Sequence, residues 1–303
     1  MRLIKPSFNI WGHENTLEGI YKQIERVGRV CYKSEDKISE NTYKDFVDRM
    51  IKSGHGAMLE HGTVYLKVPA NIDEVGNFLD EVPTWTKCKL VEEKDDNWWA
   101  ITTNYRVLVE HFAEEYIEDI LENYLCEPTE YHKKRITVHF VCDRGVSHEF
   151  VRHRVFSFAQ ESTRYCNYSK DKFGNELTFI KPCWSKASLG NYGTLREPLE
   201  IQFDEYDEDV FEMEFINELI NIEFRYMNIL NAGYTPQQAR AVLPNALKTE
   251  LVMTGFASDW EHFFKLRDAG SAHPQARELA HPLHMEFLRR GYITDLYNEA
   301  NPD

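Results

Sequence analysis

The sequence predicts an α+β domain, and three observations predict it. Apolar residues recur at helical spacing through several long segments. In shorter segments they alternate with polar residues at a period of two. The alternating segments are mostly separated by helical ones and do not follow one another directly.

The first helix is expected over 15–33, where Ile20, Ile24, Val27 and Cys31 share a face and Asn15, with Glu18 three residues on, reads as its cap. A second covers about 42–53, with Phe46, Val47, Met50 and Ile51 inward and Gly54 as its stop. The stretch GHGAMLEHG then loops into a strand in which Val64, Leu66 and Val68 alternate with Thr63, Tyr65 and Lys67. Residues 69–134 are less regular: they hold the Trp98-Trp99 pair, a β-like TTNYRVLV, an amphipathic helix around 108–125, and a charged run from Lys87 to Asp96 that breaks any pattern.

ITVHFVC at 136–142 is a second alternating strand, turned by Arg144-Gly145 into a short helix that Ser147 caps. On that helix Glu149, Arg152 and His153 fall at i, i+3 and i+4, on one face. A loop at 157–163 and a strand near 177–181 follow, and DEYDED at 204–209 reads as a solvated helix entry. The longest helix runs over about 209–231 and ends at Gly233; Pro236 opens another. After Pro244, LKTELVMT is a strand; Ser258 and Glu261 form a capping box for a helix at 259–268, and a last helix occupies roughly 274–290.

The chain has 303 residues and is 42% hydrophobic, enough for one large core or two small ones. Its formal net charge of -15 argues against a broad nucleic-acid or membrane-surface binder. No apolar run approaches the length of a membrane span, and the N-terminal stretch has no signal-peptide core. The cysteines, Cys31, Cys88, Cys126, Cys142, Cys166 and Cys183, form no CxxC pair and read as reduced thiols of a cytoplasmic protein.

Against this acidic background one run stands apart: RHRVFSFAQESTRY, from Arg152 to Tyr165. Arg152, His153, Arg154 and Arg164 place three guanidiniums and an imidazole within thirteen residues. Such clustering is costly unless something negative neutralises it. Arginine matches phosphate bidentately, Ser162 adds a hydroxyl, and Gln160 both donates and accepts. A small polyanion such as a nucleotide is the natural ligand. The plain alternative is surface arginines paired with the abundant carboxylates.

The spacing Arg-His-Arg, seven residues, then Ser resembles the signature of the flavin-dependent thymidylate synthases. The flanks agree as well: Glu149 three residues before, Gln160 two before Ser162, and Arg164-Tyr165 after it. LEH at 59–61, QQARAVLP at 237–244 and WEHFFKLR at 260–267 are similar to further family stretches, in the same order.

This resemblance implies a twisted, mainly antiparallel sheet packed with helices, one domain over 1–303 with an insertion at about 69–134. It implies reductive methylation of dUMP to dTMP, with FAD as hydride carrier, methylenetetrahydrofolate as carbon donor and NADPH as reductant, in a homotetramer. By register, Glu149, Arg152, Gln160, Ser162, Arg164, Arg240 and Arg267 would bind dUMP, with Arg267 activating the uracil ring. His61, Thr63, Arg152, His153, Arg154, Gln160 and His262 would hold FAD, and Arg144 is a weaker candidate for the nucleotide phosphate. The family's frequent Asn-x-Arg is replaced here by Phe256 and Ser258, so a flavin contact on that turn is lost, made by backbone or supplied from the insertion. Rival readings are a flavin-dependent hydroxymethylase of pyrimidine nucleotides and a non-catalytic nucleotide- or RNA-binding protein.

Other residues invite plainer readings. His61 alone reads as a structural histidine, Arg240 as a surface residue whose stem covers the core, and Arg267 as a surface partner of Asp268 or another nearby carboxylate. His262 and Arg267 lie about 140° apart on a helical wheel, so one straight face does not hold both. His281, His284 and Glu286 lack zinc-site spacing, with Pro282 between them and no fourth ligand. Cys166 has no base beside it in sequence to activate a nucleophile.

Overall fold

The computed structural model describes residues 1–72, 85–93, 96–193 and 210–294. In chain order the elements are β1 Arg2–Ile4, β2 Ser7–Trp11, α1 Leu17–Tyr32, α2 Thr42–Lys52, α3 Gly56–Leu59, β3 Thr63–Pro69, β4 Lys87–Val91 and β5 Trp98–Asn104. There follow α4 Tyr105–His111, α5 Glu114–Tyr124, β6 Arg135–Asp143, α6 Arg144–Phe150, β7 Ser157–Gln160, β8 Thr178–Ile180 and β9 Gly190–Asn191. The chain closes with α7 Val210–Asn231, α8 Pro236–Ala239, β10 Lys248–Phe256, α9 Ala257–Arg267 and α10 Pro274–Arg289. The α+β class holds. Three sheets form, ordered β2-β6-β10-β7, β3-β5-β4 and β8-β1-β9, and every pair is antiparallel except β1 with β8.

The four-stranded sheet organises the site, and its alternation sorts two kinds of chemistry onto two faces. Phe140 opposite Leu251 and Val138 opposite Met253 point into an aromatic core with Phe150, Trp260, Phe263 and Phe287. Burying each such side chain contributes roughly 1.5–3 kcal/mol, so this cluster fixes α6, α9 and α10 against the sheet. Gly255 permits the close approach: a Cβ there would lie 2.5 Å from the Phe156 ring. The other face carries Thr137, His139, Glu250 and Thr254, and packs on Val27 and Val30 of α1 through Val252 and Ala159.

Several expectations are corrected by local hydrogen bonding. Thr16, not Asn15, caps α1, its Oγ1 accepting from Gly19 N–H at 3.0 Å. Ile51 is exposed on α2. Tyr65 is buried along with Val64, Leu66 and Val68, because β3 is covered on both faces. TTNYRVLV is half strand and half helix: Asn104 ends β5 and caps α4. The helix expected over 108–125 is two, since Phe112 and Ala113 are extended. The charged run from Lys87 holds an edge strand, β4, where lysines suit an exposed ladder.

Asp143, not Ser147, caps α6, its Oδ1 accepting from Val146 N–H at 2.8 Å, so Arg144-Gly145 is the first turn of the helix. The expected loop at 157–163 begins as strand β7. The Ser258–Glu261 box does not form; α9 starts two residues earlier, at Ala257, and Asp259 accepts from Phe256 N–H at 3.0 Å. DEYDED lies outside the described residues.

Candidate functional site

Strand β6 delivers α6, and α6 ends at Phe150. Glu149 is therefore helical, while Arg152 and His153 sit in the turns that follow, contrary to a single helical face for all three. Arg267, the last residue of α9, reaches across to both parts. Its NH1 donates to Glu149 Oε2 at 2.5 Å, its NH2 to the Glu149 carbonyl at 2.7 Å, and its Nε to His153 Nε2 at 3.0 Å.

An arginine can only donate, so His153 accepts at Nε2 and carries its proton on Nδ1. Burial, then the Arg267 and His262 charges, push the His153 imidazolium down to about 4, so the ring is neutral near pH 7. The His262 ring lies 6.0 Å from that of His153. Residues 262 and 267 thus flank one histidine despite their angular separation. Asp268 is not Arg267's partner; it takes His281 Nδ1 and His284 Nδ1, each at 2.9 Å, and Arg277 at 3.5 Å. Glu286 pairs with Arg289 and Arg290.

Gln160 lies on the aromatic-core face of β7, where its Nε2 donates to Ser147 Oγ at 2.8 Å and to Thr249 Oγ1 at 3.2 Å. The chain then turns. Ser162 N–H donates to the Cys31 carbonyl at 2.9 Å, and Ser162 Oγ accepts from Arg164 N–H at 3.3 Å. Arg164 is exposed, its guanidinium 5.1 Å from the Tyr165 ring centre. Cys166 is buried, and burial pushes its thiol up to about 12, which favours the unreactive neutral thiol.

His61 and Thr63 form a separate, interior group. His61 is fully buried, its Nδ1 2.8 Å from Thr254 Oγ1, which itself lies 2.8 Å from Thr137 Oγ1. Burial, then Arg135, lower its pKa to about 3. Thr63 Oγ1 accepts from Arg135 NH1 at 3.5 Å. Arg135, not anticipated from sequence, is buried and also donates to the Glu60 carbonyl and Ser157 Oγ, with no carboxylate in ion-pair range among the described residues.

Lys87, from β4, reaches the turn where Phe256 and Ser258 replace the family's Asn-x-Arg. Its Nζ donates to Ser258 Oγ at 2.9 Å and sits 4.4 Å from the Phe256 ring centre. A cation from the segment expected as an insertion therefore stands at that turn.

Arg152, Arg154, Arg164 and Arg240 are exposed, and among the described residues none of them pairs with a carboxylate. Arg240 lies just past α8, as the first residue of a short 3-10 helix, Arg240–Val242, that continues from it. In a chain with fifteen more acidic than basic side chains, unpaired arginines grouped in one sequence motif are a donor set suited to phosphates. The exposed arginines thus suit a phosphate-bearing anionic ligand.

The family model described as thymidylate synthase complementing protein matches residues 89–289, which includes most of 69–134. Among curated relatives, the flavin-dependent thymidylate synthase of Mycobacterium avium is 32% identical over 155 residues, 48% of this chain and 53% of that protein. That of Geobacter sulfurreducens is 29% identical over 161 residues, 52% and 57% of the two chains. The chain spans about half the length of the curated relatives it matches. Among solved structures, the UMP/dUMP methylase PolB of Streptomyces cacaoi bound with 5-Br dUMP overlaps 95% of this chain and 93% of its own, with a TM-score of 0.40 and 14% identity. With a family match across residues 89–289, well over half of its length, and the Arg-His-Arg, seven residues, Ser motif in place, the chain belongs to the thymidylate synthase complementing protein family, that of the flavin-dependent thymidylate synthases.

Proposed function

We propose that the protein converts dUMP to dTMP, with methylenetetrahydrofolate as carbon donor, FAD as bound cofactor and NADPH as reductant. The observation that carries this reading is the joining of Arg267, Glu149 and His153 beside the arginine-rich motif of an acidic chain. Arg152, Gln160, Ser162, Arg164 and Arg240 bind the nucleotide in this reading. His61, Thr63, Arg152, His153, Arg154, Gln160 and His262 serve FAD, with Lys87 supplying a cation at the Phe256–Ser258 turn. When bound, the flavin supplies the hydride chemistry.

The chain's own residues orient and polarise. Guanidinium has five N–H donors, of which Arg267 uses three on Glu149 and His153. One N–H on each terminal nitrogen remains for a ligand. Directed at the uracil carbonyl and N3, these two donors stabilise negative charge developing on the ring as C5 becomes nucleophilic. Arg267 keeps its proton throughout and acts as a fixed positive donor, not as a base. Glu149, held against it, fixes the direction of the fork.

We further propose a homotetramer working in the cytoplasm, each subunit a single domain with 69–134 as an elaboration of it. Among the described residues no helix is long and apolar enough to cross a membrane. The test of the activity is the mass of the product. Purified protein given dUMP, methylenetetrahydrofolate, FAD and NADPH should yield dTMP. A hydroxymethylated nucleotide, or no product from a flavin-loaded and dUMP-binding protein, overturns the reading.

A further inference from the structure

A cluster of buried charge lies under the Ser162–Arg164 turn, on the α1-facing side of the sheet. Glu161 is the residue between Gln160 and Ser162; strand alternation turns it to the face opposite Gln160, beside Glu250. Its Oε2 accepts from Lys248 Nζ at 2.8 Å, and its Oε1 from Tyr168 OH at 2.9 Å. Lys248 also donates to Glu250 Oε1 at 2.5 Å; Lys33 donates to the same oxygen at 2.8 Å, and His139 Nε2 lies 2.8 Å from Glu250 Oε2. The Glu161 side chain is 1% exposed and that of Lys248 15%. Burial works against the charge on Lys248, but Glu161 and Glu250 hold its pKa above the usual value.

Such a cluster is a poor way to gain stability, since apolar residues of like volume generally do as well. What it does here is geometric. Glu161 N–H donates to the Glu250 carbonyl at 2.8 Å, Ser162 N–H to the Cys31 carbonyl at 2.9 Å, and Cys166 N–H to the Ser162 carbonyl at 3.0 Å. The side-chain bond from Tyr168 back to Glu161 closes the same loop across seven residues. The turn that presents Ser162 and Arg164 outward is thus held from beneath by Glu161.

We infer that Glu161, Lys248 and Tyr168 are positioning residues for the nucleotide phosphate, setting the Ser162–Arg164 turn without touching the ligand. This rests on the reading that the turn grips a nucleotide phosphate. A misplacement of an ångström at such a turn is enough to cost one to two decades.

The test compares dUMP with deoxyuridine, which lacks the phosphate, by calorimetry on the full chain supplied with FAD. The double variant Glu161→Gln/Lys248→Met removes both charges together and leaves none uncompensated. It should weaken dUMP about tenfold and deoxyuridine less than about twofold. Arg164→Ala is the control. If Arg164→Ala weakens dUMP and the double variant does not, the positioning role is wrong while the phosphate reading stands. If Arg164→Ala leaves dUMP unchanged, the phosphate reading fails and takes the positioning role with it. Equal weakening of both ligands by the double variant marks a merely structural pair and overturns the inference. Should the double variant not fold, Tyr168→Phe decides: it removes one hydroxyl, and a phosphate-selective loss of about two- to fivefold is expected. No selective loss there overturns the inference as well.

Discussion

Arg267 Nε donates to His153 Nε2 across 3.0 Å, tying the end of α9 to the centre of the Arg152–Arg154 triplet. The bond requires a neutral His153, and the fold supplies it by burial and by the Arg267 and His262 charges, which lower the imidazole to about 4 from an ordinary 6.5.

The pH dependence follows in sign. Between pH 6.5 and 4 the unfolded chain binds a proton at His153 that the folded chain does not, so stability rises with pH across that window. The contribution is fully present above about 6.5 and lost as the pH falls towards 4. Urea unfolding at stepped pH should show wild type losing on the order of 1–3 kcal/mol more than His153→Gln over this interval. Parallel curves for the two proteins would count against the assignment.

Arg164→Ala should weaken dUMP binding. A charge-assisted hydrogen bond to phosphate is worth roughly 1.5–3 kcal/mol, or about 10- to 150-fold. Flavin retention should change much less. Calorimetric titration checks both, and an unchanged dUMP affinity would move the phosphate towards Arg240 or Arg144.

Arg267→Lys keeps the charge but loses the planar fork that reaches Glu149 and His153 together. Turnover should fall by roughly two to three decades, as for loss of one oxyanion-type donor. Stopped-flow measurement of dUMP-dependent oxidation of the reduced flavin is the readout. A wild-type rate would remove Arg267 from the reaction.

Lys87 stands 2.9 Å from Ser258 Oγ at the turn lacking the family's Asn-x-Arg. Lys87→Met should weaken FAD retention by about 3- to 30-fold, the value of one exposed charge contact, with the fold intact by circular dichroism. Full flavin retention after gel filtration would show that the turn does not need this cation.

Thiol reactivity should follow burial. Cys88 and Cys183 are exposed, whereas Cys142 and Cys166 are buried with thiols raised by burial. Iodoacetamide on native protein should label the first two, and the second two only after unfolding, as read by peptide mass. Native labelling of Cys166 would reopen a nucleophilic role.

Local pattern by itself determined much of this protein. The helical spacing of Ile20, Ile24 and Val27, the alternation in ITVHFVC and the stop at Gly233 each follow from interactions within a few residues, so they are legible before folding. So was the chemical character of the Arg152–Tyr165 run, because fixed positive charge in an acidic chain needs no coordinates to be noticed. Caps slipped because another nearby side chain took the free N–H: Thr16 caps in place of Asn15, which donates to Glu127, and Asp143 in place of Ser147, which donates to the Arg144 carbonyl. Only the tertiary structure decided which groups meet. Glu149 and Arg267 are 118 residues apart, and Lys248 and Glu161 are 87. Arg135 gave no signal in the sequence, yet it is buried beside Thr63 and Ser157. Pairings of that kind depend on sheet register and helix docking, which are set by burial of the aromatic core over distances that no local pattern spans.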